Sequence, residues 1–561
     1  MGIDVEHLAG AAYPHLGVDG PTEDMVNPDA SFPAARRQVG DGAGTRPPAG
    51  PPYAVVRDRV FGRADVPMHA LLTAALAVAV AWFLTRWASA ALGSGHLILI
   101  VALSLPVLGG LAIRLVRWCT LPLMRRPRRV RPRPGMRVGV ATTYVPGVES
   151  PELLEQSVRA LIAMDYPHET WVLDEGDDEQ IKDLCVRLGA RHFSRRHLAH
   201  YQAEGGPFQS RCKHGNYNSW LYEFGFDRYD FVTGFDPDHV PDPAFLCETL
   251  GFFEDPSIGY VQAPQAYANA SRSVIARGAA EESYAFYSCD QSVGDAAGHP
   301  IIIGCHNTHR VSALKQVGGF ASHFADDILL TILYRRRGWK GVYVPRVLAH
   351  GQAPEDWGTY IRQQRRWARA LLDLKIRVHP KLMRGLPLGS RLLGLLHGLS
   401  FLKEGIFGLL TVASVVACLL GNVCLEGFTS RLAMPGAVLL GVLAASEVFT
   451  RRFYLDPGWR SGLLWRSSMV RFAKWPSFLL ALGDVLGGRR FEYDPTPKTR
   501  ARCDRSLVLW PHGLTALALG LAWSIGASRG VHACPVVLTC GLLLFVTSAG
   551  LLAHECLEPR G

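Results

Sequence analysis

Zinc-type cysteine spacing is missing from this chain. Its 12 cysteines are scattered over 561 residues, with no Cys-x-x-Cys pair and no Cys/His pattern typical of a structural zinc module, so a zinc-finger reading is excluded. Cys185, Cys212, Cys247, Cys289 and Cys305 fall in an α/β block where a reduced state is expected. No apolar run stands at the start, so no signal peptide is expected, and no internal repeat is found. Acidic residues fall short of basic ones, 49 against 59, for a net charge of +10. That excess does not mark a nucleic-acid binder, because the arginines gather beside apolar blocks, where they orient a chain in a membrane.

What the chain has in quantity is hydrophobic sequence: 48% of residues, with a mean hydropathy of +0.10. It is distributed in blocks of spanning length, which points to an integral membrane protein. After a Pro/Gly-rich stretch, residues 1–65, expected to be a disordered tail, come two apolar blocks near Pro67–Leu84 and His96–Val116. They form a transmembrane pair over 66–117. Arg57, Arg59 and Arg63 precede it; Arg114, Arg117, Arg125, Arg126, Arg128 and Arg129 follow, so both ends are expected on the cytoplasmic side. Further spans are expected at Gly405–Val423, Leu432–Phe449, Leu507–Ile525 and Ala533–Leu552, six in all. Two semi-apolar stretches with charges, Leu386–Leu402 and Leu463–Leu486, read as interfacial helices. The units are therefore a cytoplasmic domain at 118–385, an interfacial helix and two spans at 386–450, a cytoplasmic or interfacial segment at 451–506, two spans at 507–553, and a short tail at 554–561.

Between the second and third spans the pattern is α/β. Arg137–Thr142, Glu169–Asp174 and Asp230–Asp236 read as buried strands, the last two ending in carboxylates. Ligands of open α/β sheets sit at the carboxyl ends of strands, so Asp174 and Asp236 are candidate binding residues. Asp236-Pro-Asp238-His239 offers carboxylates to a hard divalent cation, which takes one or two carboxylates plus phosphate oxygens; taken alone, the same tripeptide is a common turn. Asp326-Asp327 opens an expected helix, where an acid pair also serves as an N-cap. Farther on, Gln363, Arg366 and Trp367 stand at i, i+3 and i+4. A helix presents them on one face, an amide, a phosphate-binding guanidinium and a flat aromatic together. A basic helix resting on anionic lipid is the alternative.

Taken in order, Asp174, Asp236-x-Asp238, Asp326-Asp327 and Gln363-x-x-Arg366-Trp367 resemble the signature of the processive family-2 glycosyltransferases, such as cellulose, curdlan, chitin and hyaluronan synthases. The resemblance covers Arg137 to Ala370, with weaker support from Phe491–Lys498. It implies an α/β GT-A-like (Rossmann-like) cytoplasmic glycosyltransferase domain inserted between transmembrane helices. It further implies that Asp327 is the general base and that Asp236, Asp238 and His239 surround Mg²⁺ or Mn²⁺. Asp174, Lys213, Asn216, Asp236, Gln363 and Arg366 would bind the donor. Trp367, Asp326, Gly304 and Cys305 would meet the acceptor. Two departures touch the acceptor side: Ala325-Asp326 replaces Thr-Glu, and Ile301–His306 lacks the family's Phe-Phe-Cys-Gly-Ser. The implied partners are a UDP-sugar (UDP-glucose favoured), a growing glycan and the bilayer, in the plasma membrane, with accessory export or regulatory subunits admitted and nucleic acid excluded. The implied product is a β-linked, cellulose- or curdlan-like glucan. The alternatives are a single transfer to a lipid acceptor and a non-catalytic scaffold of the same fold.

Overall fold

A computed structural model of the chain describes residues 54–383, Arg391, 399–489 and 507–558, apart from positions 94, 422, 424, 425 and 530–534. Most of the expected interfacial helix Leu386–Leu402, the segment Phe491–Lys498 and residues 1–53 lie outside the described residues.

The centre is a seven-stranded sheet: β1 Val138–Tyr144, β2 Glu169–Asp174, β3 Arg191–Phe193, β4 Phe231–Phe235, β5 Ile258–Gln262, β6 Asn307–Arg310 and β7 Lys340–Tyr343, in the spatial order β7-β5-β6-β4-β1-β2-β3. All pairs are parallel except those of β6, which runs against both β4 and β5. Every residue of β1, β4 and β5 is buried. Such continuous apolar strands belong to a sheet covered on both faces. Helices Pro151–Ile162, Glu179–Leu188 and Lys213–Trp220 belong to this half, the first two capped by Ser150 and Asp178. The parallel strands β1, β2 and β4 end together at Tyr144, Asp174 and Phe235. This brings Asp174 and the Asp236–His239 turn to one edge, as the pattern of strand ends implies. A small second sheet, Val240–Pro241, Ala349–Gly351 and Ala266–Tyr267, lies just beyond that edge.

Among the described residues, five helices are long and apolar enough to cross a membrane: within Arg63–Leu92, Leu97–Leu123, Leu399–Leu420, Ser430–Arg451 and Val537–Leu557. The fifth expected span, Leu507–Ile525, is a helix, Trp510–Ser528, but is not among these five. It packs on Pro535–Leu557, whose Glu555 accepts from the Val508 and Leu509 amides at its start.

The tail expected over 1–65 ends sooner than residue 65. Arg57–Arg59 pairs antiparallel with Arg125–Pro127, and Arg57 binds the buried Asp295 at 2.8 Å. The arginine run that the positive-inside rule picks out therefore has a second use. Arg117–Asp290, Arg128–Asp58 and Arg129–Glu248 are ion pairs too, and they tie the base of the first helical pair to the α/β domain.

The helix Trp357–Asp373, capped by Asp356, packs along Trp465–Leu486. The latter, expected to lie in the interface, is held by charges that reach the α/β domain. Lys474 is 6% exposed and donates to Glu282 at 2.8 Å and Gln364 at 3.3 Å. Arg365 meets Asp484 at 2.7 Å. Gly278 lets the two units close: a Cβ there would stand 2.6 Å from Val470 Cγ1.

Candidate active site

Lys213, at the first position of its helix, reaches Asp236 Oδ1 at 2.5 Å and the Gly304 carbonyl at 2.6 Å. Burial works against its charge, but the negative groups around it, Asp236 foremost, together outweigh burial and hold the ammonium well above its ordinary range. One lysine thereby joins the Asp-x-Asp turn to the loop 302–306. That loop is pinned by Gln262, which accepts from the Ile303 amide at 2.8 Å and donates to the Cys305 carbonyl at 2.9 Å.

Across a cavity lined by Lys213, Tyr217, Gly304, Asn307, Asp326 and Asp327, the acid pair opens the helix Asp326–Arg336. Asp327 Oδ1 accepts from the Ile328 amide at 2.7 Å, and Asp326 Oδ1 from the Asp327 amide at 3.0 Å. Burial, then the neighbouring Asp327 charge, pushes Asp326 up to about 7 against the lowering effect of Lys213. Burial raises Asp327 as well, opposed by the Ile328 amide and Lys213. Two carboxyls this close titrate as a unit.

Asp174 is fully buried, accepting from the Gly176 and Asp178 amides at 2.7 and 2.6 Å and meeting His192 Nε2 at 3.1 Å. It shapes the β2 loop through these bonds. Asn216 donates to the Leu173 carbonyl at 3.0 Å, and its Oδ1 is buried without a hydrogen-bond partner. Asp236, Asp238 and His239 bring one donor atom each within 4.8 Å of one another, a cluster able to hold a cation. Asp238 also accepts from the Gln352 amide at 3.3 Å. Gly351 makes room for this cluster, since a Cβ there would fall 2.0 Å from His239 Nε2.

Lys213, Gly304, Asp326 and Asp327 are thus brought to one cavity, with Asp236 joined through the lysine. Asp174, Asn216, Asp238, His239 and Cys305 are not among its lining, and neither are Gln363, Arg366 and Trp367. Of the last three, Gln363 and Arg366 are half-buried and Trp367 is exposed. The glutamine buried in that helix is Gln364, at 4% exposure. Sequence reasoning also passed over His192, Gln262 and Lys474. Only Lys474 carried a signal, as a charge within an apolar helix.

Residues 231–480 match the family model described as glycosyl transferase family group 2. Cellulose synthase 1 of Komagataeibacter xylinus is 30% identical over 291 residues, 50% of this chain and 18% of the relative. A cellulose synthase 1 catalytic subunit (UDP-forming) of the same organism is 26% identical over 324 residues, 56% of this chain and 40% of the relative. The chain thus spans well under half the length of either relative. A solved mannosyltransferase of Pyrobaculum calidifontis, in complex with GDP-Man and Mn²⁺, is 17% identical with a TM-score of 0.43, over 72% of this chain and 100% of that one. Residues 231–480 are thus similar to group 2 glycosyltransferases, and about half of the chain to cellulose synthases, with the α/β domain set among membrane-capable helices.

Proposed function

We propose that the protein is an inverting, membrane-embedded glycosyltransferase that extends a β-linked glucan from a UDP-sugar, UDP-glucose first among donors, using Mg²⁺ or Mn²⁺. The observation that carries this is the cavity in which an acid pair with a raised proton affinity faces a lysine bonded to the Asp-x-Asp turn. A leaving diphosphate needs a cation and a fixed positive charge. Asp236 and Asp238 would hold the cation, and Lys213 stands ready to meet phosphate. Asp327 is the carboxylate that takes the acceptor hydroxyl's proton, and a base of raised affinity suits that task near neutrality. Asp174 and Asn216 would shape the nucleotide end, while Gln363, Arg366 and Trp367 would close over diphosphate and acceptor.

A growing hydrophilic chain needs an enclosed path through hydrocarbon. The helices beside Trp357–Asp373 supply its walls, with the catalytic domain on the cytoplasmic face of the plasma membrane. Accessory subunits for export or regulation fit the same arrangement.

Membranes carrying the protein, given UDP-glucose and Mg²⁺, should release UDP and form a polymer that linkage-specific hydrolases digest. Asp238→Asn should abolish the divalent-dependent release while the protein stays folded. Near-normal release from that variant would reduce the Asp-x-Asp to a turn. A glycolipid carrying one sugar, in place of polymer, would select the lipid-acceptor reading.

A further inference from the structure

Beside His239 lies a second set of donors. Cys305 Sγ is 3.0 Å from His239 Nδ1, and Gln265 Nε2 donates to the same sulfur at 2.7 Å. The His306 ring lies 4.6 Å from the His239 ring. All three residues are buried, Cys305 and His306 at 0% exposure and His239 at 6%, and one ligand atom from each falls within 4.8 Å of the others. His306 is prepared for ligation. Its Nδ1 lies 3.0 Å from the Pro264 carbonyl, which makes Nδ1 the protonated nitrogen and leaves the lone pair on Nε2. That Nε2 is buried with no hydrogen-bond partner. The backbone is built to hold it: His306 has φ +57°, and its carbonyl accepts from the Ala263 amide at 2.9 Å.

We infer that His239, Cys305 and His306 form a second metal site, for a thiophilic divalent cation of the Zn²⁺ class, beside the hard Asp236/Asp238 site. Donor chemistry separates the two: a thiolate and two imidazoles suit zinc, whereas carboxylates and phosphate oxygens suit magnesium. Tetrahedral zinc, with about 2.0–2.1 Å to nitrogen and 2.3 Å to sulfur, sets neighbouring donors roughly 3.3–3.6 Å apart. The pocket therefore needs sub-ångström opening between Cys305 and His239 and a small closing elsewhere. Binding releases the Cys305 proton to solvent, and a solvent oxygen completes the tetrahedron. Loaded, the site clamps the loop 302–306 to the turn 236–239, the two segments that Lys213 already joins. It regulates the position of the donor-metal turn and does not take part in transfer.

The test uses full-length protein in detergent, stripped by chelator and then titrated with Zn²⁺ or Co²⁺ in millimolar Mg²⁺. Wild type should bind Zn²⁺, and its Co²⁺ form should show near-ultraviolet thiolate-to-cobalt charge transfer with intense tetrahedral visible bands. Cys305→Ser should lose the charge-transfer band and bind Zn²⁺ at least about tenfold more weakly. Exposed Cys119, Cys540 and Cys556 are unaltered in that variant, so their contribution cancels. If Cys305→Ser fails to fold, His306→Asn replaces it, because asparagine accepts a left-handed backbone, and the same weakening is expected. Asp238→Asn should keep the cobalt spectrum even where it loses transferase activity, so the two sites fail separately. Equal Zn²⁺ binding by wild type and Cys305→Ser, or a cobalt spectrum without thiolate character, would overturn the inference.

Discussion

Asp326 and Asp327 are adjacent in sequence but unequal in setting. Asp327 has the Ile328 amide on its carboxylate, whereas Asp326 faces its neighbour's charge. Asp327→Asn keeps the side chain's shape and its capping ability but cannot accept a proton. UDP affinity by calorimetry should change little, while polymer synthesis falls by roughly 10²–10⁴-fold, the scale of lost general-base catalysis. Normal synthesis by that variant would move the base to Asp326. The pH dependence of stability isolates the second acid. Asp326 titrates at about 7 in the folded protein, above its ordinary 3.8, so between those values the folded state holds more protons than the unfolded one. Its contribution to stability is complete below pH 4 and is lost as pH rises through 7. The melting temperature of wild type should therefore fall between pH 5 and 8, and Asp326→Asn should flatten that slope. An unchanged slope would show that Asp326 is not the site of the raised affinity.

At the scale of elements, the helix bearing Gln363, Arg366 and Trp367 is positioned by its neighbours. Trp357 at its start donates to His554 Nδ1 at 3.1 Å and, through its amide, to Glu558 Oε2 at 3.3 Å, both at the end of the last apolar helix. Its flank rests on Lys474, bonded to Glu282 and Gln364. Removing one member of a buried ion pair strands the other, at a cost of about 3 kcal/mol. Lys474→Met should lower the melting temperature and weaken synthesis together, and adding Glu282→Gln should restore much of the stability. Thermal unfolding of the single and double variants in detergent is the measurement. A double variant less stable than Lys474→Met would show that Glu282 has another essential role.

For the whole molecule, the arginine clusters bear on both orientation and docking. Arg187 and Arg489 project outward, with side chains 64% and 74% exposed, on the α/β domain and beyond the Trp465–Leu486 helix. With the native exposed cysteines replaced, Arg187→Cys and Arg489→Cys should both resist an impermeant maleimide on intact cells and react after lysis. Labelling of either from outside would invert the proposed topology. Cutting the Arg57–Asp295 tie is expected to loosen the domain from its membrane base without touching the cavity.

The class of protein was legible in order and composition alone. Apolar blocks of spanning length, strands ending in acids, and four short motifs in sequence require no contact map, because length, periodicity and strand-end placement are local properties. The sequence also placed Asp174 and Asp236 on a ligand-binding edge, since parallel strands share one carboxyl end. Tertiary structure decided what no local pattern encodes. It buried Gln364 where the motif pointed to Gln363, turned the interfacial helix Leu463–Leu486 into a buttress for the α/β domain, and recruited Arg57–Arg59 from the expected tail into a strand. It also carried Cys305 and His306 to His239, more than sixty residues away along the chain. These outcomes depend on which charges find partners and which donors are left without water, and burial sets both only after distant segments have packed.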